Sequence, residues 1–270
     1  MQLRDGSTFT LLSDRQWVGR AGPTVAAGVY QGSVRDMRLE RDGWASADFV
    51  DPITRWLPAD ILPSPTGWGG ILSLQFMDPI RAGPDALHVR TKAERTSGSE
   101  HVGAVLGVPI TQTVLHPMSE TEWDSGNVYD LGQNMVGWCS VNVSHLRGSS
   151  VYVRYAEYKM QPLQQTPQLV TTSVDFDTTN LRYIAVEDVY VVNGTVGWEM
   201  LEPQFTYRGF RYVWLASNYR PYPASAISCP VVHSEGSLVG NFTTSSAVIN
   251  QIQQNILWTQ IGNTMSLMTD

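Results

Sequence analysis

Phe205-Thr-Tyr-Arg-Gly-Phe-Arg-Tyr-Val-Trp214 is the stretch of this 270-residue chain that decides the fold. Alternate residues of an extended chain point to opposite faces, and here both faces carry bulky side chains. The stretch is therefore predicted to be a central strand that is covered on both sides. Arg208 and Arg211 then need acidic or carbonyl partners, because an unpaired buried charge is very costly. The expected carboxylates are Asp188 and Glu202, and the alternative is an arginine that binds a substrate hydroxyl.

A second unusual block, Asp130-Leu-Gly-Gln-Asn-Met-Val-Gly-Trp138, lies earlier in the chain. Its two glycines permit a positive φ or a close backbone approach, and its amide pair can fix a bend or bind a sugar hydroxyl. We expect a structural corner with Trp138 in the core, whereas stacking of Trp138 on a sugar is the alternative. Across the two blocks, the residues assigned to this structural motif are Asp130, Gly132, Gln133, Asn134, Gly137, Trp138, Tyr207, Arg208, Gly209 and Arg211.

Most of the chain has the pattern of short strands between turns. Ser149–Glu157 alternates between apolar and polar residues, and Ile227–His233 and Val239–Thr243 are expected to be further strands. Asn193-Gly194 is a tight-turn signal, so Val196–Met200 is expected to return as the second strand of a hairpin. Short runs at this spacing predict a mainly β fold with two β-sandwich, jelly-roll-like domains.

The period changes near the C-terminal end of the chain. Ile249, Ile252 and Ile256 recur at helical spacing, with Ser245-Ser246 available as the N-cap and Gly262 as the stop. We therefore expect one C-terminal α-helix after the β-domains. The expected divisions of the chain are 1–115, 116–238 and 239–270.

Composition narrows the class of protein. Hydrophobic residues make up 42% of the chain and aromatic residues 10%, as in globular proteins, but only 16% of residues are charged. The net charge of −7 and the scattered arginines argue against nucleic acid. The chain has no polybasic run and no apolar stretch of about 18 residues, so the sequence does not predict a membrane partner. The opening residues have no apolar core of signal-peptide length, and the compartment stays open.

Metal and cofactor chemistry has little support in the sequence. The five histidines are dispersed, which argues against a zinc site, and no phosphate-binding loop or Gly-x-Ser-x-Gly elbow occurs. No cofactor is therefore expected. Cys139 and Cys229 lie in strand-like runs, which favours buried thiols, with a single bridge as the alternative. Glu157 and Arg182 are expected to form a structural ion pair rather than an acid-base site.

Taken in order, the motifs resemble those of bacterial-type α-L-rhamnosidases over almost the whole chain. They are Gly22-Pro-Thr24, Val29-Tyr-Gln-Gly-Ser-Val-Arg-Asp-Met-Arg38, Gly43-Trp44, Asp78-Pro-Ile-Arg81, Tyr129 to Trp138, Asn180-Leu-Arg182 with Asp188 and Tyr190, Phe205 to Tyr212, Val232-His-Ser234, and Gly240-Asn-Phe242 with Asn250, Asn255, Trp258 and Asn263. Three positions depart from the family pattern. Ser33 stands where Glu is usual, Val34 where Tyr is usual, and Arg208 where His is usual.

The resemblance implies what the chain contains and what it lacks. It makes the C-terminal helix the first helix of a truncated α/α six-hairpin barrel, whose general acid and base lie beyond Asp270, so no catalytic residue is assigned here. Thr269-Asp270 matches the first two residues of the family's acidic segment, which makes Asp270 a candidate substrate-binding carboxylate. The implied function is the non-catalytic β-domain portion of an enzyme that hydrolyses terminal α-L-rhamnosides with inversion, and its partners are rhamnose-containing glycosides.

Two other functions remain open at this point. The chain can be a stand-alone carbohydrate-binding β-sandwich module, or a structural spacer that holds a barrel without binding sugar. If the helix is the first of a truncated barrel, Ile249, Ile252, Ile256 and Trp258 are expected to be exposed, and such an apolar face predicts self-association.

Overall fold

The computed structural model describes the ranges that carry the fold. They are residues 4–10, 12–50, 56–62, 80–82, 114–115, 119–123, 126–159, 176–177, 181, 184, 186–217, 222–234, 240–265 and 267–269. Arg182 and Asp270 lie outside the described residues, so the structure does not test the ion pair of Glu157 with Arg182 or the role of Asp270. Two compact units make up the chain: Met1–Gly22 with Leu39–Gln75, and Pro23–Arg38 with Phe76–Asp270. The expected divisions at residues 115 and 238 stay predictions.

Short strands dominate the described residues, as the sequence predicts. In chain order they are β1 (Val18–Gly19), β2 (Thr24–Gly28), β3 (Gly32–Asp36), β4 (Leu57–Pro58), β5 (Ile80–Ala82), β6 (Val114–Leu115), β7 (Ser119–Trp123), β8 (Gly126–Gly137), β9 (Ser140–Val143), β10 (Ser150–Ala156), β11 (Tyr158–Lys159), β12 (Phe176–Asp177), β13 (Glu187–Val191), β14 (Glu199–Leu201), β15 (Arg208–Ser217), β16 (Ile227–Pro230), β17 (Val232–Ser234), β18 (Thr264–Met265) and β19 (Leu267–Met268). The α-helix α1 spans Ala247–Gly262, and two 3₁₀ segments span Met37–Leu39 and Ala224–Ala226. The expected fold class, mainly β with one C-terminal helix, is confirmed.

In the first unit, β1 and β4 pair as a two-stranded antiparallel sheet, with Val18 opposite Pro58. The second unit holds a seven-stranded sheet in the order β2-β3-β13-β10-β15-β8-β7. The aromatic strand β15 lies inside this sheet between β10 and β8, as predicted. It begins only at Arg208, because Phe205 has a positive φ of 62° and its side chain is exposed.

A four-stranded sheet in the order β14-β9-β16-β6 forms the second layer. The hairpin expected at Asn193-Gly194 is wrong in its pairing. Gly194 does have the left-handed φ of 73° that such a turn needs. The chain then leaves the seven-stranded sheet, because Met200 in β14 pairs with Asn142 in β9 and not with β13. A local turn signal therefore locates the bend without fixing the strand that follows it.

The main core lies between these two sheets. Tyr155, Tyr190 and Phe210 from the large sheet share one buried cluster with Val141 and Ile227 from the small sheet. The rings of Tyr155 and Phe210 meet edge to face with their centroids 4.7 Å apart. Burying a large apolar side chain contributes about 1.5–3 kcal/mol, so this cluster holds the two layers together.

Helix α1 forms where the isoleucine spacing predicts it, and one of the two expected serines lies at its N-cap. Ser246 occupies the N-cap position without a side-chain hydrogen bond. The hydroxyl of Thr244 instead accepts from the backbone N–H of Ser246 at 3.1 Å, and the Asn250 amide donates to the Thr244 carbonyl at 2.9 Å. The expected strand Val239–Thr243 is also wrong, since residues 240–243 are irregular.

Candidate functional site

A deeply buried ion pair of the β-sandwich joins Arg208 to Asp188, one of the two carboxylates that the sequence predicts as partners. The guanidinium donates to both oxygens of the carboxylate, from Nη1 to Oδ2 at 2.7 Å and from Nη2 to Oδ1 at 2.8 Å. The two side chains are 3% and 0% exposed. Such a pair is bidentate and almost fully removed from water, so each partner depends on the other.

Three further donors complete the surroundings of Asp188. The backbone N–H and the hydroxyl of Ser33 donate to Oδ1 at 2.9 and 2.8 Å, and the Tyr155 hydroxyl donates to Oδ2 at 3.0 Å. Ser33 and Arg208 are two of the three departures from the family pattern, and they meet at this one carboxylate. Neither the sequence spacing nor the strand pattern points to Ser33, because 155 positions separate it from Asp188.

A glycine makes the approach of Ser33 possible. Gly32 has a φ of +98°, and a Cβ there would lie 1.9 Å from the Glu187 carbonyl oxygen and 2.5 Å from Arg208 Nη2. Any side chain at this position would therefore push the β2–β3 turn away from the ion pair.

Burial and the charge of Asp188 keep the neighbouring tyrosines neutral. Burial, and then the negative charge of Asp188, raise the pKa of Tyr155 well above its usual value, and the same two causes raise that of Tyr190. Burial opposes the charged form of Arg208, but Tyr155 and Asp188 outweigh it and raise the pKa of the guanidinium. The guanidinium also lies over the Tyr155 ring, 4.7 Å from its centroid. The guanidinium of Arg208 therefore stays charged beside its buried partner Asp188.

The Asp130–Trp138 block contributes to a second, more exposed ion pair, in which Asp130 binds Arg211 of the same strand β15. Asp130 accepts from Nε and Nη2 of Arg211 at 2.7 and 2.9 Å, beside a β-bulge in β15 between Phe210 and Tyr212. Glu202, the other carboxylate expected for the arginines, is not the partner of Arg211. It accepts instead from Trp138 Nε1 at 2.5 Å, which leaves Trp138 half-buried at the surface of the core.

The two glycines of the block have the two roles that the sequence allows. Gly132 has a φ of +77°, and its N–H donates to Asp130 Oδ1 at 2.7 Å. Gly137 lies so close to the next strand that a Cβ would come within 2.1 Å of the Pro230 carbonyl oxygen. The block therefore bends at Gly132 and then passes close to the backbone of Pro230 at Gly137.

The amide pair and the remaining motif residues lie around this bend. The Gln133 amide donates to the Asn134 carbonyl at 2.8 Å, and the Asn134 amide donates to Glu157 Oε1 at 3.2 Å. Gly209 faces the same carboxylate, because a Cβ added at Gly209 would lie 3.4 Å from Glu157 Oε1. Tyr207 is half-buried just before β15. We retain these residues as a proposed structural motif.

A disulfide closes the corner where the chain passes from one sheet to the other. Cys139 lies between β8 of the large sheet and β9 of the small sheet, and it is bonded to Cys229 of β16. Both residues are buried, as expected, but the prediction of free thiols is wrong. The register of β16 on β9, with Ser228 opposite Ser140, brings the two cysteines face to face, and strand assignments alone cannot supply that register.

Two findings bear on other kinds of site. Among the described residues, no three His, Cys, Asp or Glu side chains are grouped so that they could hold a metal ion. No described helix has the length and apolar character needed to cross a bilayer.

Two facing β-sheets with a mainly antiparallel order define the class of this domain, a β-sandwich. Residues 121–233 match the family described as the bacterial alpha-L-rhamnosidase concanavalin-like domain. Residues 1–83 match the alpha-L-rhamnosidase N-terminal domain. The two segments together cover more than half of the chain, which belongs to the bacterial α-L-rhamnosidase family.

Curated relatives agree with this assignment. The chain is 28% identical to an alpha-L-rhamnosidase of Streptomyces avermitilis over 100% of its own length and 22% of that protein. It is 26% identical to one from Formosa agariphila over 99% of the chain and 24% of the relative. The chain thus spans about a quarter of the length of the curated relatives that it matches.

Solved structures give the same result. The Streptomyces avermitilis enzyme, crystallised with L-rhamnose, superposes with a TM-score of 0.73 at 27% identity, over 100% of this chain and 22% of that one. The alpha-L-rhamnosidase of Dictyoglumus thermophilum superposes with a TM-score of 0.75 at 29% identity, over 99% and 25%. That of Aspergillus terreus gives 0.72 at 27% identity, over 100% and 26%.

Proposed function

We propose that this chain is the non-catalytic β-domain portion of an α-L-rhamnosidase, and that the whole enzyme hydrolyses terminal α-L-rhamnosides with inversion. The curated relatives are named alpha-L-rhamnosidases, and one of them was solved in complex with L-rhamnose. Rhamnose-containing glycosides are therefore the proposed substrates. In this proposal α1 is the first helix of the α/α barrel, and Asp270 is a carboxylate that contacts the substrate.

The observation that carries the non-catalytic role is the use of the carboxylates in the β-sandwich. An inverting glycosidase needs a protonated acid and a second carboxylate about 6.5–9.5 Å away, with water between them. Here Asp188 and Asp130 are each held by both donor groups of an arginine, and Glu187 forms an ion pair with Arg154. A carboxylate held in this way neutralises a cation and has no free oxygen pair for acid or base chemistry.

Glu202 is a further acid of the sandwich, and it is half-buried. Burial raises its pKa, while the hydrogen bond from Trp138 and the charge of Arg35 oppose that rise. Its side chain is directed to Trp138 Nε1, at 2.5 Å, and so packs within the sandwich. We assign it a structural role.

The proposal is tested by turnover of an aryl α-L-rhamnoside. This chain is expected to release no aryl alcohol above the uncatalysed rate, whereas the Streptomyces avermitilis enzyme, assayed in parallel, provides the positive control. Hydrolysis by this chain at a rate comparable to that control would contradict the non-catalytic role. The Asp188→Asn variant then identifies whether the buried carboxylate is responsible.

Calorimetric titration with L-rhamnose separates the proposal from a stand-alone carbohydrate-binding module. A scaffold without its barrel is expected to give no saturable heat, while a binding module gives a saturable isotherm. Saturable binding that survives the Asp270→Asn substitution would favour the module.

A further inference from the structure

The disulfide at the corner between the two sheets bears on the compartment in which the protein matures. Cys139 and Cys229 are 1% and 0% exposed, and both belong to the main core cluster. They are 90 positions apart in the sequence, and among the described residues there is no free cysteine. The bond therefore ties the corner between the two sheets to strand β16 of the small sheet, at a place that solvent does not reach.

The position of the bond within the fold indicates a structural role. The chain crosses from β8 to β9 within residues 138–139. Val231, the residue that follows β16, forms an isolated bridge with Gly137 at the end of β8. Strand β16 pairs with β9 through Ile227 and Ser228, and with β6 through Cys229 and Pro230. Cys229 is thus the residue at which β16 changes partner, and the bond fixes that change to the corner.

We propose that the native protein matures in an oxidising compartment, where a disulfide-bearing oxidant closes the Cys139–Cys229 bond. One cysteine thiolate attacks the disulfide of the oxidant to give a mixed disulfide, and the second thiolate then displaces the oxidant as a thiol. Two protein thiols lose two protons and two electrons, one S–S bond forms, and the oxidant is reduced to its dithiol.

The chemistry of the cytosol argues for this location. Glutathione and thioredoxin keep cytosolic cysteines reduced, and stable disulfides are features of secreted, periplasmic and cell-surface proteins. Because both sulfurs are buried in the finished core, the bond must close before or while the two sheets pack. A chain that folded in a reducing cytosol would bury two thiols beyond the reach of a later oxidant.

The test uses the protein in its own host cells. Cells are fractionated after an acid quench, the protein is denatured without reductant, free thiols are labelled with a maleimide, and the labelled positions are mapped by mass spectrometry. We expect the protein in the exported fraction, with Cys139 and Cys229 unlabelled before reduction and both labelled after it. Label on both cysteines before reduction, or an unlabelled protein found in the cytosolic fraction, would overturn the proposal.

A second measurement does not depend on finding the protein in its host. The same chain is produced with export to an oxidising compartment and, separately, in a reducing cytosol. The exported protein is expected to show the linked peptide pair in a non-reducing digest and a higher urea midpoint, and reductant is expected to lower that midpoint. The variant Cys139→Ala/Cys229→Ala, made in both ways, is the control, and its midpoint should not depend on compartment or reductant. Equal midpoints for the exported wild-type protein with and without reductant would contradict the role of the bond.

Discussion

Replacement of Arg208 by methionine tests whether the buried ion pair organises the sandwich. Methionine keeps much of the length and apolar stem of arginine but has no charge and no donor. Asp188, which is 0% exposed, is then left without its counterion. The matched control is Arg211→Met, because Arg211 lies on the same strand and pairs equally closely with Asp130.

The expected cost follows from burial. Removing one partner of a buried ion pair costs about 3–5 kcal/mol. Ser33 and Tyr155 would still donate three hydrogen bonds to Asp188, so we place the loss at the lower end, about 3 kcal/mol. Arg211 and Asp130 are 38% and 25% exposed, and water can replace the lost partner. For Arg211→Met we therefore expect about 1 kcal/mol or less.

Urea unfolding followed by circular dichroism measures the difference. With a slope of about 2 kcal/mol per molar, the loss of 3 kcal/mol lowers the midpoint by about 1.5 M, and the control by about 0.5 M or less. The double variant Arg208→Met/Asp188→Asn should recover part of the loss, because it leaves no buried charge. Equal midpoints for Arg208→Met and Arg211→Met would refute the reasoning, since the two pairs differ chiefly in burial.

Three other substitutions probe the corner, the core and the helix. In urea unfolding, Gly137→Ala is expected to cost at least about 3 kcal/mol, because the new Cβ meets the backbone of the next strand. The control Gly209→Ala, whose Cβ has a contact of 3.4 Å, should have a far smaller effect. Similar urea midpoints for the two variants would contradict the close approach at Gly137. Burial raises the pKa of Tyr222 to about 12 from 10.0, so the unfolded state ionises first and stability falls between pH 10 and 12. By pH 11 the wild-type protein should have lost about 1.4 kcal/mol more than Tyr222→Phe, and parallel pH profiles would count against this assignment. The wild-type protein is expected to self-associate, so that its mass in light scattering rises with concentration; Ile252→Glu should abolish that rise, because Ile252 is 51% exposed on the apolar face. The control Gln251→Glu adds the same charge off that face and should behave like the wild type. A wild-type chain that is monomeric at every concentration would argue against self-association.

Sequence reasoning finds the parts of the fold that one local rule decides. It names Asp188 and Glu202 as partners for the two arginines because a buried cation in a central strand needs a carboxylate, and the structure pairs Asp188 with Arg208. The spacing of the isoleucines identifies helix α1, and three of them are exposed as expected. Trp258 is expected on the same exposed face, but it is only 8% exposed. At about 100° per residue it lies on the opposite side of the helix from Ile249, where it packs on the sandwich core.

The features that sequence reasoning misses depend on pairings between distant strands. Ser33 reaches Asp188 only because β3 pairs in parallel with β13, and no local signal announces a parallel partner so far along the chain. The disulfide likewise depends on the register of β16 against β9. Charge alone suggests Glu202 as a partner of the arginines. The sequence does not show that the Trp138 indole points toward Glu202 and donates to it instead.

The placement of β2 and β3 has a practical consequence for dissecting this protein. Pro23–Arg38 is compact with the second unit although it precedes most of the first unit in the chain. A gene cut anywhere between residues 39 and 75 would therefore strip two strands from the large sheet and expose β13 as a bare edge. Truncated or circularly permuted variants therefore need the Pro23–Arg38 segment, in the same molecule or as a separate peptide, to keep the sandwich soluble.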